Sequence, residues 1–152
     1  MLIVQDRESN NEEYTFELQR KTGKNQSLKK GNQMLNSNDR MHYVVKGDIT
    51  RYLRNLAFET ITDSSPTFSI EAPKYTPENP CIVLVTVYTP TKRRIDPPNV
   101  YPTVKALIDG MTDAGLWSDD NSTVIQYTAF THGGMSNTSN YKIKLTINGI
   151  EG

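Results

Sequence analysis

Three groups of residues between positions 92 and 121 have the types and spacing to do chemistry. Lys92, Arg93 and Arg94 are consecutive cations, and Asp96 opens the turn Asp-Pro-Pro-Asn (96–99). Asp119 and Asp120 are adjacent carboxylates in Ser-Asp-Asp-Asn (118–121), and Lys105 and Asp109 lie between the two turns. Carboxylates converging beside a lysine can hold Mg²⁺, a hard cation that takes one or two carboxylates together with water and phosphate oxygens. Such an ion lowers the pKa of a bound water and polarises a phosphodiester, so the chemistry on offer is metal-assisted hydrolysis. Lys105 could then neutralise charge on the phosphate or the leaving oxygen. The same residues have an ordinary reading as well. Asp and Asn are common turn formers, and Lys105–Asp109 is an i, i+4 helix pair. Residue types alone leave both readings open.

The elements around these residues must position them. CIVLVTVYT (81–89) is the most apolar and β-branched run and predicts a central strand that delivers the chain to Lys92–Asp96. Val100, Val104, Leu107, Ile108 and Met111 then fall on one arc of about 100°, which predicts a helix to about Ala114 with Lys105, Asp109 and Thr112 on its polar face. Pro102 suits the first turn and Gly115 the position just past the end. Leu116-Trp117 is an apolar anchor ahead of the second acidic turn. If the strands on either side of this helix are neighbours, the two acidic turns can meet at one end of a sheet.

Upstream, residues 13–19 alternate as a strand, and the polar stretch 20–35 predicts a loop or hairpin. Asn36 and Asn38 suit either a turn or a phosphate contact. Asp48 is placed to cap a helix running to about Ile61, with Ile49, Leu53, Leu56 and Thr60 inward and Arg51 and Arg54 outward. Residues 67–72 alternate as a short strand and 73–80 form a Pro-rich turn. A strand over 123–131 ends at His132-Gly133-Gly134, and a last strand covers 141–147 with Lys142 and Lys144 on its wet face. Residues 1–12 are read as an N-terminal arm. The order β-α-β-β-α-β-β predicts a single α/β (α+β) domain over 1–152, a mixed sheet with two helices packed on it.

Composition narrows the classes. With 152 residues, 36% of them hydrophobic, the chain can bury a core without disulfides or a structural metal. No apolar run approaches a membrane span, and the first residues lack the basic segment of a signal peptide, so a cytoplasmic protein is expected. Cys81 opens the central strand and reads as a buried small hydrophobe. His42 and His132 have no zinc-ligand spacing. The net charge of zero hides an asymmetry: residues 20–54 hold nine bases against Asp39 and Asp48. A locally basic segment of that kind is either a phosphate-binding face or an ordinary solvated surface.

Residues 96–121, with their Lys-to-double-Asp interval and the helix KALIDGMTDAG, resemble the RusA-like Holliday-junction resolvases, often encoded by phages and prophages. That family carries an Asp-x-Asp-Asn turn, a helix with Lys and Asp four residues apart, an Ala-Gly ending and a double Asp. LNSNDRMHYVVKGDITRYLRNLA (35–57) resembles its Asn-containing loop and basic helix, so the likeness covers about residues 34–58 and 92–121. The resemblance implies a homodimeric, Mg²⁺-dependent endonuclease of DNA recombination and repair, with Mn²⁺ as a substitute, that binds branched DNA and nicks four-way junctions in pairs. It implies Asp96 and Asp120 as metal ligands with Asp119, and Lys105 as the catalytic lysine. Asn99, Asp109 and Asp119 are the supporting residues. Asn38, Arg40, Lys46, Arg51, Arg54, Lys92, Arg93 and Arg94 are the implied DNA contacts. Two departures stand out: Pro98 takes the place of the second turn acid, and about three extra residues, nearly a helical turn, separate Asn99 from Lys105. A junction-binding protein without catalysis, and a phage regulatory protein acting through protein–protein binding, are the alternative readings.

Overall fold

The structure, a computed structural model, describes residues 11–64 and 73–150. In chain order it has β1 (Asn11–Leu18), α1 (Tyr43–Ser64), β2 (Cys81–Thr89), α2 (Tyr101–Asp113), β3 (Ile125–Met135) and β4 (Tyr141–Gly149). Short 3-10 turns lie at Gly23–Asn25, Leu28–Lys30 and Pro97–Val100. The four strands make one mixed sheet in the order β1-β4-β2-β3, with both helices packed on it. β2 and β3 run parallel, and the other two pairings are antiparallel. A parallel neighbour needs a crossover, and α2 supplies it. The strand expected over 67–72 lies outside the described residues. The fold class agrees with the sequence reading.

Burial explains why these segments take these forms. On β2, Cys81, Val83, Val85 and Val87 are fully buried, matched on β4 by Ile143, Leu145 and Ile147. Lys142 and Lys144 take the alternate positions of β4, as period 2 demands. Val100 and the four apolar positions expected on α2 are all buried, joined by Thr103, Ala106 and Gly110. The end of α2 is closed by two hydrogen bonds, Gly115 N–H to the Thr112 carbonyl (3.0 Å) and Leu116 N–H to the Met111 carbonyl (3.2 Å). Gly115 has φ +83°, and Leu116 and Met111 are both buried, so this is a Schellman ending with its apolar contact.

Several boundaries differ from the sequence reading, each for a physical reason. α1 begins at Tyr43, so Asp48 lies inside the helix and pairs with Arg51 instead of capping. Val44, Val45 and Gly47 are poor helix formers, but a stripe of Ile49, Leu53, Ala57 and Ile61 carries the helix; Leu56 and Thr60 sit at its margin. β1 starts at Asn11, because Asn11 and Glu12 continue the ladder opposite Asn148 and Ile147. These two residues belong to the sheet and not to an arm. The Glu12 carboxylate accepts from Tyr14 Oη (2.9 Å) and Tyr75 Oη (2.7 Å), with Lys74 Nζ at 3.2 Å, and so ties residues 73–75 to β1. Burial, and then the Glu12 charge, push both tyrosine hydroxyls well above the usual range, so they remain donors.

Residues 20–35 form no hairpin. Two 3-10 turns wrap the buried Asn32, whose amide accepts from Lys21 N and donates to the Gln26 and Met34 carbonyls. Nor does the Gly pair end β3. Val87 faces His132 while Tyr88 faces Gly134, leaving Gly133 as the extra residue of a bulge. A Cβ on Gly133 would stand 2.5 Å from the Tyr88 ring and 2.6 Å from Thr86 Cγ2, so only glycine fits.

The two helices touch closely. A Cβ on Gly110 would lie 2.1 Å from the Arg54 carbonyl oxygen and 2.9 Å from Ala57 Cβ. Across the same contact the Arg54 guanidinium holds Asp113 with Nε and Nη2. Gly110→Ala should therefore lower stability by about 1–3 kcal/mol through overpacking, although the same change favours an unpacked helix by about 1 kcal/mol. Urea unfolding measures the sign directly, and a stabilised variant would disprove the helix–helix contact.

Candidate active site

The topology decides where the acids go. Because β2 and β3 are parallel, the chain leaves β2 at one end of the sheet and enters β3 at the other. Asp96 and the Asp119-Asp120 pair therefore depart from opposite ends, and adjacency of the two strands does not by itself unite them. What brings Asp120 back is the segment after α2, which folds against the helix. Trp117 Nε1 donates to Thr112 Oγ1 (2.7 Å), and Ser118 N–H donates to the Tyr75 carbonyl (2.9 Å). Leu116 and Trp117 are buried, as an anchor should be.

Anchored in this way, Asp120 meets the polar face of α2. Lys105 Nζ stands 2.7 Å from Asp109 Oδ1 and 2.7 Å from Asp120 Oδ2, so two carboxylates converge on one cation. Lys105 is 45% exposed and its partners 27% and 24%, which leaves the cluster open to an incoming ligand. The hydrogen bond it donates to Asp109, then the one it donates to Asp120, push the Lys105 ammonium well above its usual range. The Lys105 hydrogen bond is likewise the main cause of the lowered Asp120 carboxyl. Asp119 turns inward on its own loop, accepting from Asp120 N–H (2.7 Å) and Asn121 Nδ2 (3.1 Å).

Asp96 lies elsewhere, in a cleft of about 510 Å³ lined also by Asn36, Asn38, Arg93, Arg94 and Asn99. Neither Lys105 nor Asp120 lines this cleft. Among the described residues no three carboxylate, imidazole or thiol groups gather as a metal-holding set, so Asp96, Asp119 and Asp120 are not brought to one point. The Asp109–Asp120 pair does fit the smaller requirement of Mg²⁺, which takes one or two carboxylates and fills its other positions with water and phosphate oxygens.

The cleft is built by pinning one loop onto another. Ser37 N–H donates to the Asn99 carbonyl (2.8 Å), and Asn99 N–H to the Asp96 carbonyl (2.9 Å). Thr103 Oγ1, buried in the first turn of α2, donates to the Leu35 carbonyl (2.7 Å) and accepts from Leu35 N–H (2.8 Å). Asp39 accepts from Asn36 N–H (2.9 Å) and holds Arg20 with both oxygens. The Asn-containing loop, the DPPN turn and the start of α2 are thus one unit. Thr103 was missed by sequence reasoning, although a threonine within the apolar arc of a helix is the signal that could have flagged it.

The cations fall into two sets. Arg54 is committed to Asp113 and Arg51 to Asp48, so two implied DNA contacts are already paired. Arg40, Lys46, Lys92, Arg93 and Arg94 are exposed, as is the neutral Asn38. Among the described residues no ion pair holds Arg93 or Arg94.

Compared with models of known protein families the chain matches none, and no curated protein matches it. No helix among the described residues is long and apolar enough to cross a membrane.

The sign of the electrostatic coupling can be tested. A lowered Asp120 stabilises the fold above the ordinary carboxylate range and loses that contribution as pH falls through its folded value. A raised Lys105 contributes below the ordinary lysine range and loses its contribution as pH rises through its folded value. The cluster should hold between those limits. In Lys105→Met the two carboxylates face each other without the cation, and the Asp120 carboxyl should titrate about 1 unit or more higher by carbon NMR. An unchanged midpoint would show that Lys105 does not hold Asp120.

Proposed function

We propose that the chain is a RusA-like endonuclease that uses Mg²⁺, or Mn²⁺ in its place, to nick four-way DNA junctions in pairs as a homodimer. One observation carries the reading: Lys105, Asp109 and Asp120 meet on the exposed face of α2, as the lysine and acids of the resembled motif require. The pinning of Asn36–Asp39 onto the Asp96–Asn99 turn supports it, because both stretches of the resemblance then belong to one surface. Asp120 and Asp109 would hold the ion, with Asp96 and Asp119 as the further acids of the motif. When bound, the ion supplies an activated water and a polarised phosphodiester.

The chain's own residues do the rest. Lys105 carries the charge to meet a phosphate or the departing oxygen once its carboxylates have another cation to serve. Arg93, Arg94 and Lys92 hold the sugar-phosphate backbone, giving affinity and salt dependence without sequence reading. Two copies of the site would act on opposed strands. Branched DNA would then be selected by shape.

Pro98 favours a second reading, junction binding without cleavage, because it removes an acid that the resembled motif supplies. A labelled four-way junction, run with and without Mg²⁺, separates the two. Nicking by the native chain, lost by about a hundredfold or more in Asp120→Asn, Asp109→Asn and Lys105→Ala while junction binding persists, is the expected result. Binding without any cleavage in Mg²⁺ or Mn²⁺ supports the second reading, and full cleavage by both Asp variants rules out the site. No binding at all leaves only a role in protein–protein contacts.

A further inference from the structure

The Asp96 cleft carries more than a backbone contact. We infer that it receives one unpaired deoxynucleotide of the branched substrate, base inward and phosphate at the rim, which rests on the DNA reading above but not on cleavage.

Size points to this ligand. A volume of about 510 Å³ suits one nucleotide and is too small for a segment of duplex; small-molecule pockets span about 300–1,000 Å³. The charge is arranged for it too. Arg93 and Arg94 are exposed and free of ion pairs among the described residues, whereas Arg20, the third lining arginine, is already held by Asp39. An anion therefore finds its partners at the rim. The Asp96 carboxylate in the lining repels phosphate but can accept an N–H from a base.

The strongest observation concerns three amides. Asn36, Asn38 and Asn99 all line the cleft, yet none of their side-chain NH₂ groups donates a hydrogen bond within the described residues. Asn36 uses only its Oδ1, which accepts from Asn38 N–H at 3.0 Å. Their backbones are fixed by the Ser37–Asn99, Asn99–Asp96 and Asn36–Asp39 hydrogen bonds. Amides with open donors on a fixed backbone match the Watson–Crick edge of a base, and Tyr141 in the same lining offers an aromatic surface. In a duplex that edge is occupied by pairing. At a branch point continuous stacking is interrupted, so a base is drawn out at lower cost, and enzymes that take a base from the stack read it by edge hydrogen bonds and stacking.

The test uses the full chain in EDTA, so that cleavage plays no part. A five-nucleotide single strand is titrated against ¹⁵N-labelled protein, beside the same strand with an abasic central position. The side-chain amide signals of Asn36, Asn38 and Asn99 should move with the intact strand and not with the abasic one, and the intact strand should bind about tenfold tighter. Asn38→Ala, and Asn36→Asp, which keeps the Oδ1 acceptor and removes the donor, should bring the two strands to within about twofold of each other. Arg93→Ala with Arg94→Ala should weaken both strands alike. Equal binding of the two strands by the native chain, with the amides unmoved, overturns the inference. A separate polarisation assay with a labelled four-way junction reports on the nuclease reading. Loss of junction binding with the amide shifts intact would end that reading and leave the nucleotide cleft standing.

Discussion

The hydroxyl of Thr103 ties together the two loops of the Asp96 cleft. It is buried in the first turn of α2 and both gives and receives a hydrogen bond with the backbone of Leu35, sixty-eight residues away in sequence. A buried N–H and a buried carbonyl must each find a partner, and leaving both unmade costs several times what one net hydrogen bond contributes. Thr103 satisfies both from one atom. The loop that follows Leu35 is held against the DPPN turn, and Asp39, in turn, fixes Arg20. A valine there would keep the shape and orphan both backbone groups. This one polar side chain is thus a main link between the two loops that form the cleft.

The acid–lysine cluster depends on a different kind of constraint. Asp120 reaches Lys105 only because Gly115 adopts a left-handed conformation and the following Leu116-Trp117 pair is buried against the helix and residues 74–75. The site is thus assembled by a helix ending and an apolar anchor, with the charged residues riding on them. The cluster is also separate from the Asp96 cleft. One face of the α2 region holds acids around a cation, and another offers cations around an acid.

Much of this was legible in the sequence where burial sets the pattern. The β-branched run 81–89, the apolar arc from Val100 to Met111, Pro102, Gly115 and the alternating Lys142 and Lys144 each followed from period and turn chemistry, and each stands where expected. What escaped was specified across the chain. Arg54 looks like a free outward cation until Asp113 is placed beside it, fifty-nine residues on. Gly110 looks like a weak point in a helix until another backbone is found against it. The His-Gly-Gly stretch looks like a strand end, but the strand runs on through a bulge whose Gly133 leaves room for the Tyr88 ring on the neighbouring strand. The basic segment 20–54 shows the same limit, since Arg20, Arg51 and Arg54 all spend their charge on nearby carboxylates. Periodicity reports which face is buried and is silent about which polar group lies opposite.

The strand order has a consequence for how the chain is made. Among the described residues β1 is paired in the sheet with β4 alone, and β4 also closes the open side of β2. During synthesis β1 leaves the ribosome well ahead of residues 141–149, the partner that the described sheet gives it. The helices and the β2–α2–β3 unit can dock earlier, and the Glu12 carboxylate can already meet Tyr75, but the β1–β4 ladder waits for the end of translation. Closing that long loop is the entropic step that comes last. Until β4 arrives, the β1 edge that it covers is open to other chains, the kind of unpaired edge from which misassembly starts.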